Sequence, residues 1–400
     1  MKPEKQREFE LASRFAQFRH KPIYVDYNAT TPVDPAVLEE MFPYFSESFG
    51  NPSSFNWYGL KAKEAIDQAR LRVADCLGCQ PHEIIFTSGG TESNNLAIKG
   101  VAYACQYRGN HIITSAIEHP SVYMPCEYLR KQGFDITYVP VDEYGIVSVD
   151  DIRNAIKDST ILISIMHANN EVGTIQPIEE IGLMSKELGI YFHTDAAQSF
   201  GKIPVNVDDL GVDLLTLTGH KFYAPKCSGA LYVREGTKID PLINGSPQEF
   251  GLRAGTESVP SIVGLGKACH VISSSLEKIS DHLLRLRERL FEQLVSEIPG
   301  IRLNGHPTQR VPNTLNISFL GVHAKELLAA TPEIAASTGV MSHSQPEEIS
   351  HVLKAMGVEE RYALGAIRLS VGRWTSDTDV DDIVDYLSSR YFSLVERKTA

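Results

Sequence analysis

Seven short apolar runs constrain this chain more than any other feature, because their pattern leaves few ways to fold it. They are Ile84–Thr87, Ile112–Ala116, Ile136–Val141, Ile161–His167, Tyr191–Asp195, Leu214–Thr218 and Ala230–Val233. Most are rich in Ile and Val and do not alternate with polar residues, as expected of strands buried on both faces. Amphipathic segments such as Ile178–Leu188 lie between several of them. Strand and helix in repetition predict an α/β fold with a mostly parallel sheet and helices on both sides. Binding residues then belong beyond the carboxyl ends of the strands.

The chain has 400 residues, which suggests about two domains. A long charged helical pattern at Ile279–Ser296 breaks the alternation. Pro-rich turns, a strand-like Asn313–Phe319 and an amphipathic stretch near Val380–Leu394 follow. The expected division is a large domain over 29–274 and a smaller α+β domain made of 275–400 and 1–28. A net charge of −12 argues against nucleic acid as a main partner. No apolar run is long enough to span a bilayer, and Met1–His20 is charged, unlike a signal peptide. The six cysteines have no framework spacing, which predicts reduced thiols in a cytoplasmic protein. Cys76-Leu-Gly-Cys79 is a lone C-x-x-C with no second pair. It reads as local packing before metal or redox chemistry, and no metal is expected.

The polar residues that end the apolar runs carry the chemistry. Leu214–Thr218 runs into a Gly219-His220-Lys221 turn, and Tyr191–Asp195 into Ala-Ala-Gln198. An amine and a carboxylate at the tips of two buried strands are what a pyridoxal phosphate site requires. The amine binds the aldehyde covalently, and the carboxylate keeps the pyridine nitrogen protonated so that the ring accepts electrons. Phe86-Thr-Ser-Gly-Gly90-Thr91 follows a strand and opens a helix, so its amides and the Thr91 hydroxyl form an anion cup suited to a phosphate. His119 ends another run, either to stack on the ring or to move protons. Asn170 and Gln198 are placed to donate to a ring oxygen or a substrate carboxylate. Arg368, in the smaller domain, is either a carboxylate clamp or a surface ion pair.

These segments, in order and spacing, resemble the cysteine desulfurases and selenocysteine lyases, within the class V aminotransferase-like pyridoxal phosphate enzymes. The likeness runs from about Tyr24 to Leu394. It rests on Tyr24-Val-Asp-Tyr-Asn-Ala-Thr-Thr-Pro32, Gly50-Asn-Pro-Ser-Ser54, Thr87-Ser-Gly-Gly-Thr-Glu-Ser-Asn-Asn95, Asn169-Asn-Glu-Val-Gly173, Asp195-Ala-Ala-Gln198, Gly219-His-Lys221, Arg253-Ala-Gly-Thr256 and Arg368-Leu-Ser-Val-Gly-Arg373. The resemblance implies a homodimer of the aspartate aminotransferase fold type, with a mixed seven-stranded sheet. It implies that Lys221 carries the cofactor, Asp195 pairs with the ring nitrogen, Gln198 with the ring oxygen, and His119 stacks on the ring. Gly90, Thr91, Thr218 and His220 would hold the phosphate, with Thr256 reaching over from the other subunit. Asn28, Asn170 and Arg368 would hold the substrate carboxylate. Family members release sulfur or selenium from cysteine or selenocysteine and leave alanine, and desulfurases catch the sulfur on a mobile-loop cysteine for a possible acceptor protein.

The chain departs from the family at that loop. Where relatives read Ser-Thr-Gly-Ser-Ala-Cys, it reads Ser337-Thr-Gly339-Val-Met-Ser342-His-Ser344, and no cysteine follows Cys269. Ser342 therefore takes the nucleophile's position, and a hydroxyl forms no persulfide. Cys227 stands six residues past Lys221, where relatives usually carry glycine, and is either a small buried hydrophobe or a surrogate sulfur acceptor. Asn244-Gly-Ser-Pro-Gln-Glu249 replaces a triple-glycine run, and Asn56 stands where histidine is common. Three readings follow. The first is a lyase on a cysteine-like or selenocysteine-like amino acid without a loop thiol. The second is a diverged cofactor enzyme catalysing transamination, racemisation or β-elimination. The third is a silent relative that binds sulfur-transfer partners, which the intact Lys221 and Asp195 disfavour.

Overall fold

The computed structural model describes residues 21–338 and 349–399. The strands in chain order are β1 (Ile23–Tyr24), β2 (Ile84–Thr87), β3 (His111–Ser115), β4 (Asp135–Val139), β5 (Thr160–Ser164), β6 (Tyr191–Asp195), β7 (Leu214–Thr218), β8 (Gly229–Val233), β9 (Arg302–Asn304), β10 (Thr314–Ser318), β11 (Ile334–Ala335) and β12 (Ala366–Ser370). Among the described residues, one sheet has seven strands in the order β2-β8-β7-β6-β5-β3-β4. β4, β3, β5, β6 and β7 pair in parallel, and β8 runs antiparallel between β7 and β2. Hence every strand but β8 points its carboxyl end to the same edge. This is the expected α/β class with a mostly parallel, mixed sheet.

Strand boundaries depart from the apolar runs in one instructive way. The run Ile161–His167 outlasts β5, which ends at Ser164. Beyond it, the amides of Ile165 and His167 still donate to the carbonyls of His193 and Asp195, at 3.1 and 2.9 Å. The run stays apolar because the backbone stays buried as it leaves regular pairing, not because the strand continues. Similarly, β4 stops at Val139, short of the expected Val141.

Each face of the sheet carries a core. On one face the Trp57–Leu77 helix packs on the Val259–Ser273 helix, through Ala62, Ile66, Ala69 and Val73 against Ile262, Leu265 and Cys269. Their approach is set by Gly266, where an added Cβ would lie 2.6 Å from the Ala69 Cα. On the other face, Leu96, Ile98 and Val101 of the Gly90–Cys105 helix join Val122 and Leu129 of the Pro120–Lys131 helix. The Arg70–Glu249 ion pair, at 2.6 Å and almost fully buried, pins the first helix pair to the loop after β8.

A separate core lies beyond Ser275. Leu283, Leu286, Leu290 and Leu294 recur at helical spacing along the Leu276–Glu297 helix. They pack with Val380, Ile383, Val384 and Leu387 of the Asp377–Thr399 helix on an antiparallel sheet ordered β12-β10-β9. Val25 also belongs to this core, and β1 pairs in parallel with β11. The N-terminal segment is therefore fastened to the C-terminal third of the chain before it enters the space between the two cores.

Candidate active site

The strand ends converge on a cavity of about 640 Å³. β7 ends at Thr218, and Gly219–Lys221 forms a single tight turn closed by the Phe222 amide on the Gly219 carbonyl, at 3.0 Å. Glycine is needed there, since a Cβ at Gly219 would fall 2.2 Å from the Ser228 Oγ. The turn aims Lys221 into the cavity. Its Nζ donates to the backbone carbonyls of Asn28 and Ala29, at 2.6 and 2.8 Å. Burial, seconded by the Arg368 guanidinium, pushes this amine down to about 8, against the opposing pull of Asp195 and Asp26. About a tenth is thus neutral and nucleophilic at pH 7, far more than for an ordinary lysine. His220 beside it lies 3.1 Å from the Thr30 Oγ1, and burial holds it near 4, so its imidazole is neutral.

Asp195, at the end of β6, is buried. Its Oδ2 accepts from Asn94 Nδ2 at 2.7 Å and its Oδ1 from the Ala197 amide at 2.9 Å. Asn94 also donates to Ser121 Oγ at 2.8 Å, and Ser121 Oγ lies 2.7 Å from His119 Nδ1. Since that nitrogen also accepts the Ser121 amide, at 3.1 Å, it carries no proton, and the hydroxyl donates to it. Burial keeps the ring neutral, with Asp195 opposing. His119 does not end a strand as expected: β3 stops at Ser115, and His119 caps the Pro120–Lys131 helix. The next residue back, Glu118, is fully buried and pushed up to about 8 by burial. It accepts from Ser115 Oγ at 2.6 Å and from the Met166 amide at 2.9 Å, tying the ends of β3 and β5 together.

The Gly90–Cys105 helix starts at the cavity wall. Gly89 has φ of +139°, and a Cβ at Gly90 would lie 2.1 Å from Thr218 Oγ1, so both positions require glycine. Glu92 in the first turn accepts the Ser88 amide at 2.8 Å and pairs with Arg253 at 2.9 Å. Although burial raises it, those partners hold its carboxyl below the usual range. With that charge balanced, the helix start and Thr91 keep an electropositive end facing the cavity.

Arg368 on β12 is 6 % exposed, which decides between the two sequence readings: it is no surface pair. It donates to Asp26 Oδ1 at 2.6 Å and to the Asn170 carbonyl at 3.0 Å, and among the described residues its Nε has no partner. Asn28 is buried, donating to the same Asn170 carbonyl at 3.2 Å and to Thr314 Oγ1 at 2.8 Å. Gln198 donates to the Asn28 carbonyl at 3.0 Å. Gly90, Thr91, His119, Asn170, Asp195, Gln198, Thr218, His220, Lys221, Asn28 and Arg368 all line the one cavity.

Three further residues need separate accounts. Thr256 is exposed, outside the cavity of its own chain. Ser342 lies outside the described residues. Cys227 is not a buried hydrophobe: it is exposed on the cavity wall, with φ of +61°. That left-handed backbone explains why glycine is usual at this position. Cys76 donates its thiol to the Cys269 carbonyl at 3.1 Å, a packing role, and no metal-binding cluster occurs among the described residues. Asp26, Asn94, Ser121 and Lys202, to which the sequence assigns no role, also bond to site residues. Only Asn94 carried a signal, four residues after Gly90 on the same face of a helix start.

The aminotransferase class-V family model matches residues 23–383. A cysteine desulfurase IscS of Methanosarcina thermophila is 53% identical over 368 residues, covering 92% of this chain and 91% of the relative. The cysteine desulfurase IscS of Dictyoglomus turgidum is 49% identical over 369 residues, covering 92% and 94%. Among solved structures, a NifS-like protein superposes with a TM-score of 0.87 at 39% identity, over 92% of this chain and 99% of that one. SspA in complex with cysteine does so with a TM-score of 0.79 at 42% identity, over 88% and 100%.

Proposed function

The chain belongs to the aminotransferase class-V family and is a pyridoxal phosphate-dependent enzyme, and from that premise we propose that it cleaves the C–S or C–Se bond of L-cysteine, L-selenocysteine or a related amino acid. The observation that carries the reading is Lys221: an amine held by two carbonyls, lowered to about 8, in a cavity it shares with Asp195 and Arg368. The close relatives named cysteine desulfurase, and the likeness to SspA in complex with cysteine, support an amino acid of that kind.

The residues fit the cofactor. Lys221 would bind its aldehyde, Asp195 would face its ring nitrogen, and Gln198 its ring oxygen. Gly90, Thr91, Thr218 and His220 would receive its phosphate, with Thr256 contributed from the second copy of a homodimer. When bound, the cofactor supplies an electron sink for the substrate's α-carbon. The chain's own groups supply the rest. Arg368 and Asn170, with Asn28 behind them, orient the substrate carboxylate. Asp195, fixed by Asn94 and the Ala197 amide, directs its carboxyl group at the cavity. Lys221, freed as an amine near its own pKa, is suited to take and return a proton. His119, neutral with Nδ1 occupied, presents its ring and its Nε2.

Sulfur transfer takes a form suited to Ser342. The C–S bond breaks, the carbon gains a proton to give alanine, and the sulfur joins a thiol as a persulfide. That thiol is not on the loop; it belongs to an acceptor molecule or to Cys227 at the cavity wall. The proposed division into 29–274 and 275–400 with 1–28 places the cofactor residues in one domain and the Arg368 clamp in the other. A reducing cytoplasm suits the six free thiols.

Purified protein loaded with pyridoxal phosphate is incubated with L-cysteine or L-selenocysteine and an excess of a small dithiol. Alanine with sulfide or selenide is the expected outcome. Pyruvate would instead assign β-elimination, and the absence of any product from either substrate overturns the reading.

A further inference from the structure

A second lysine lies beneath the cavity. Lys202 follows Gln198 by four residues in the turns after β6, and it is buried, 5 % exposed. Its Nζ donates to Gln198 Oε1 at 2.8 Å and to Asn28 Oδ1 at 3.2 Å. Among the described residues no carboxylate pairs with it, and the charged groups that face it are the cations of Lys221 and Arg368. Burial, with those two cations, drives its proton affinity far below that of an ordinary lysine. A long, flexible amine left without a counter-charge in a protein interior is costly, and its two contacts are both to amides of the site.

Those contacts settle which way each amide points. The Asn28 backbone carbonyl only accepts, so Gln198 turns its NH2 to it, at 3.0 Å, and presents its oxygen to the N–H groups of Lys202. Asn28 Oδ1 accepts from Lys202 and from Asn313 Nδ2, at 2.9 Å, and this sends its own NH2 to the Asn170 carbonyl and Thr314 Oγ1. The Asn28 carbonyl is also the acceptor closest to Lys221 Nζ, at 2.6 Å. One buried amine thus fixes two site amides and, through Asn28, the backbone on which the reactive amine rests.

We propose that Lys202 is a positioning residue of this site, holding Gln198 and Asn28 in single orientations from below and thereby setting the place and reactivity of Lys221. The inference deepens the proposed function and rests on Lys221 being the cofactor's anchor. Lys202→Met keeps the length and apolar stem of the side chain and removes its donors. Two readouts separate positioning from a plain structural role. The first uses protein free of cofactor: reductive methylation of Lys221, followed by peptide mass spectrometry across a pH series. In the wild-type protein the methylation midpoint should lie near 8; in Lys202→Met it should fall, because the Asn28 carbonyl that steadies the ammonium loses its anchor, whereas a rise, the sign that loss of a facing cation alone would give, overturns the proposal. The second is the affinity for pyridoxal phosphate, which should weaken roughly tenfold, the scale of one well-placed hydrogen bond. Combining Gln198→Ala with Lys202→Met should weaken that affinity by less than the product of the two single losses, since the lysine acts in part through the glutamine.

Wild-type midpoint and wild-type affinity in a folded Lys202→Met protein overturn the proposal. If Lys202→Met does not fold, Lys202→Gln carries the same two measurements under the same criteria. Failure of both variants to fold assigns Lys202 to the core and also overturns it. A wild-type protein that binds no pyridoxal phosphate at Lys221 strikes the cofactor reading instead, and the methylation midpoint still decides the role of Lys202.

Discussion

Two buried charged centres in this molecule are built to opposite rules. Arg70 meets Glu249 through two parallel bonds of 2.8 and 2.6 Å. The same carboxylate accepts the Phe86 amide, and the guanidinium donates to the Ile84 carbonyl and lies 4.6 Å over the Phe86 ring. Every charge there has its opposite, and the result is a rivet between a helix pair, β2 and a loop. Around Lys221 the balance is left open. The amine rests on two carbonyls, with no carboxylate in contact among the described residues. Matched buried charge holds this fold together, whereas unmatched buried charge waits for a ligand to complete it.

The sharpest way to break that contrast is at Lys221. Lys221→Ala should abolish the visible absorption of bound cofactor and lower alanine production by at least about 10³-fold. It should also change how stability depends on pH. Because the folded-state pKa near 8 lies below the unfolded value of 10.5, the unfolded chain binds more protons between them. Wild-type stability should therefore rise relative to the variant as pH climbs from about 8 toward 10.5. Denaturant melts at several pH values check this, and parallel curves would refute it. Arg70→Met tests the other side. It leaves Glu249 buried and unpaired, and should cost about 3–5 kcal/mol in urea unfolding. A loss below about 1 kcal/mol would remove the distinction between rivet and site.

Two smaller effects sharpen the comparison. Arg368→Lys keeps the charge but loses the planar fork, so the KM for the amino acid should rise roughly 10- to 100-fold with kcat less affected. Steady-state kinetics decide it, and an unchanged KM would remove the arginine from substrate binding. Cys227→Gly relieves a left-handed backbone and should stabilise the fold by about 1 kcal/mol in thermal or chemical melts. A fall in stability would mean that the thiol makes contacts outweighing the strain.

Much of this site was legible in the sequence, for a physical reason. Strands buried on both faces write continuous Ile and Val runs, and their polar terminators, Asp195, Thr218 and Lys221, stand out against them. The Gly-Gly start at Gly89 was legible because only glycine tolerates that φ and that closeness to Thr218. Residues that support the site from outside such runs left no periodic trace. Lys202 sits in a turn and looks like a solvated lysine until burial is known. Asp26 gains meaning only through Arg368, which is 342 residues away. Ser121 reads as an ordinary helix-start residue, and its link from Asn94 to His119 is purely spatial. The strand ends misjudged at His119 and His167 have one cause: burial of irregular backbone writes the same apolar letters as a strand.

The path of residues 23–31 has a consequence for how the molecule matures. This stretch precedes most of its partners, and some of them come very late: β1 needs β11, and the Asn28 amide needs the Ser370 hydroxyl. Contacts so distant along the chain close slowly and last. Thr31 also bonds to the His220 carbonyl at 2.8 Å, so the Asn28 and Ala29 carbonyls that cradle the reactive amine are held from one side by the large domain and from the other by the last third of the chain. Translation intermediates therefore hold that cradle from one side only, and the finished chain, with both sides fastened, is the species best equipped to capture its coenzyme.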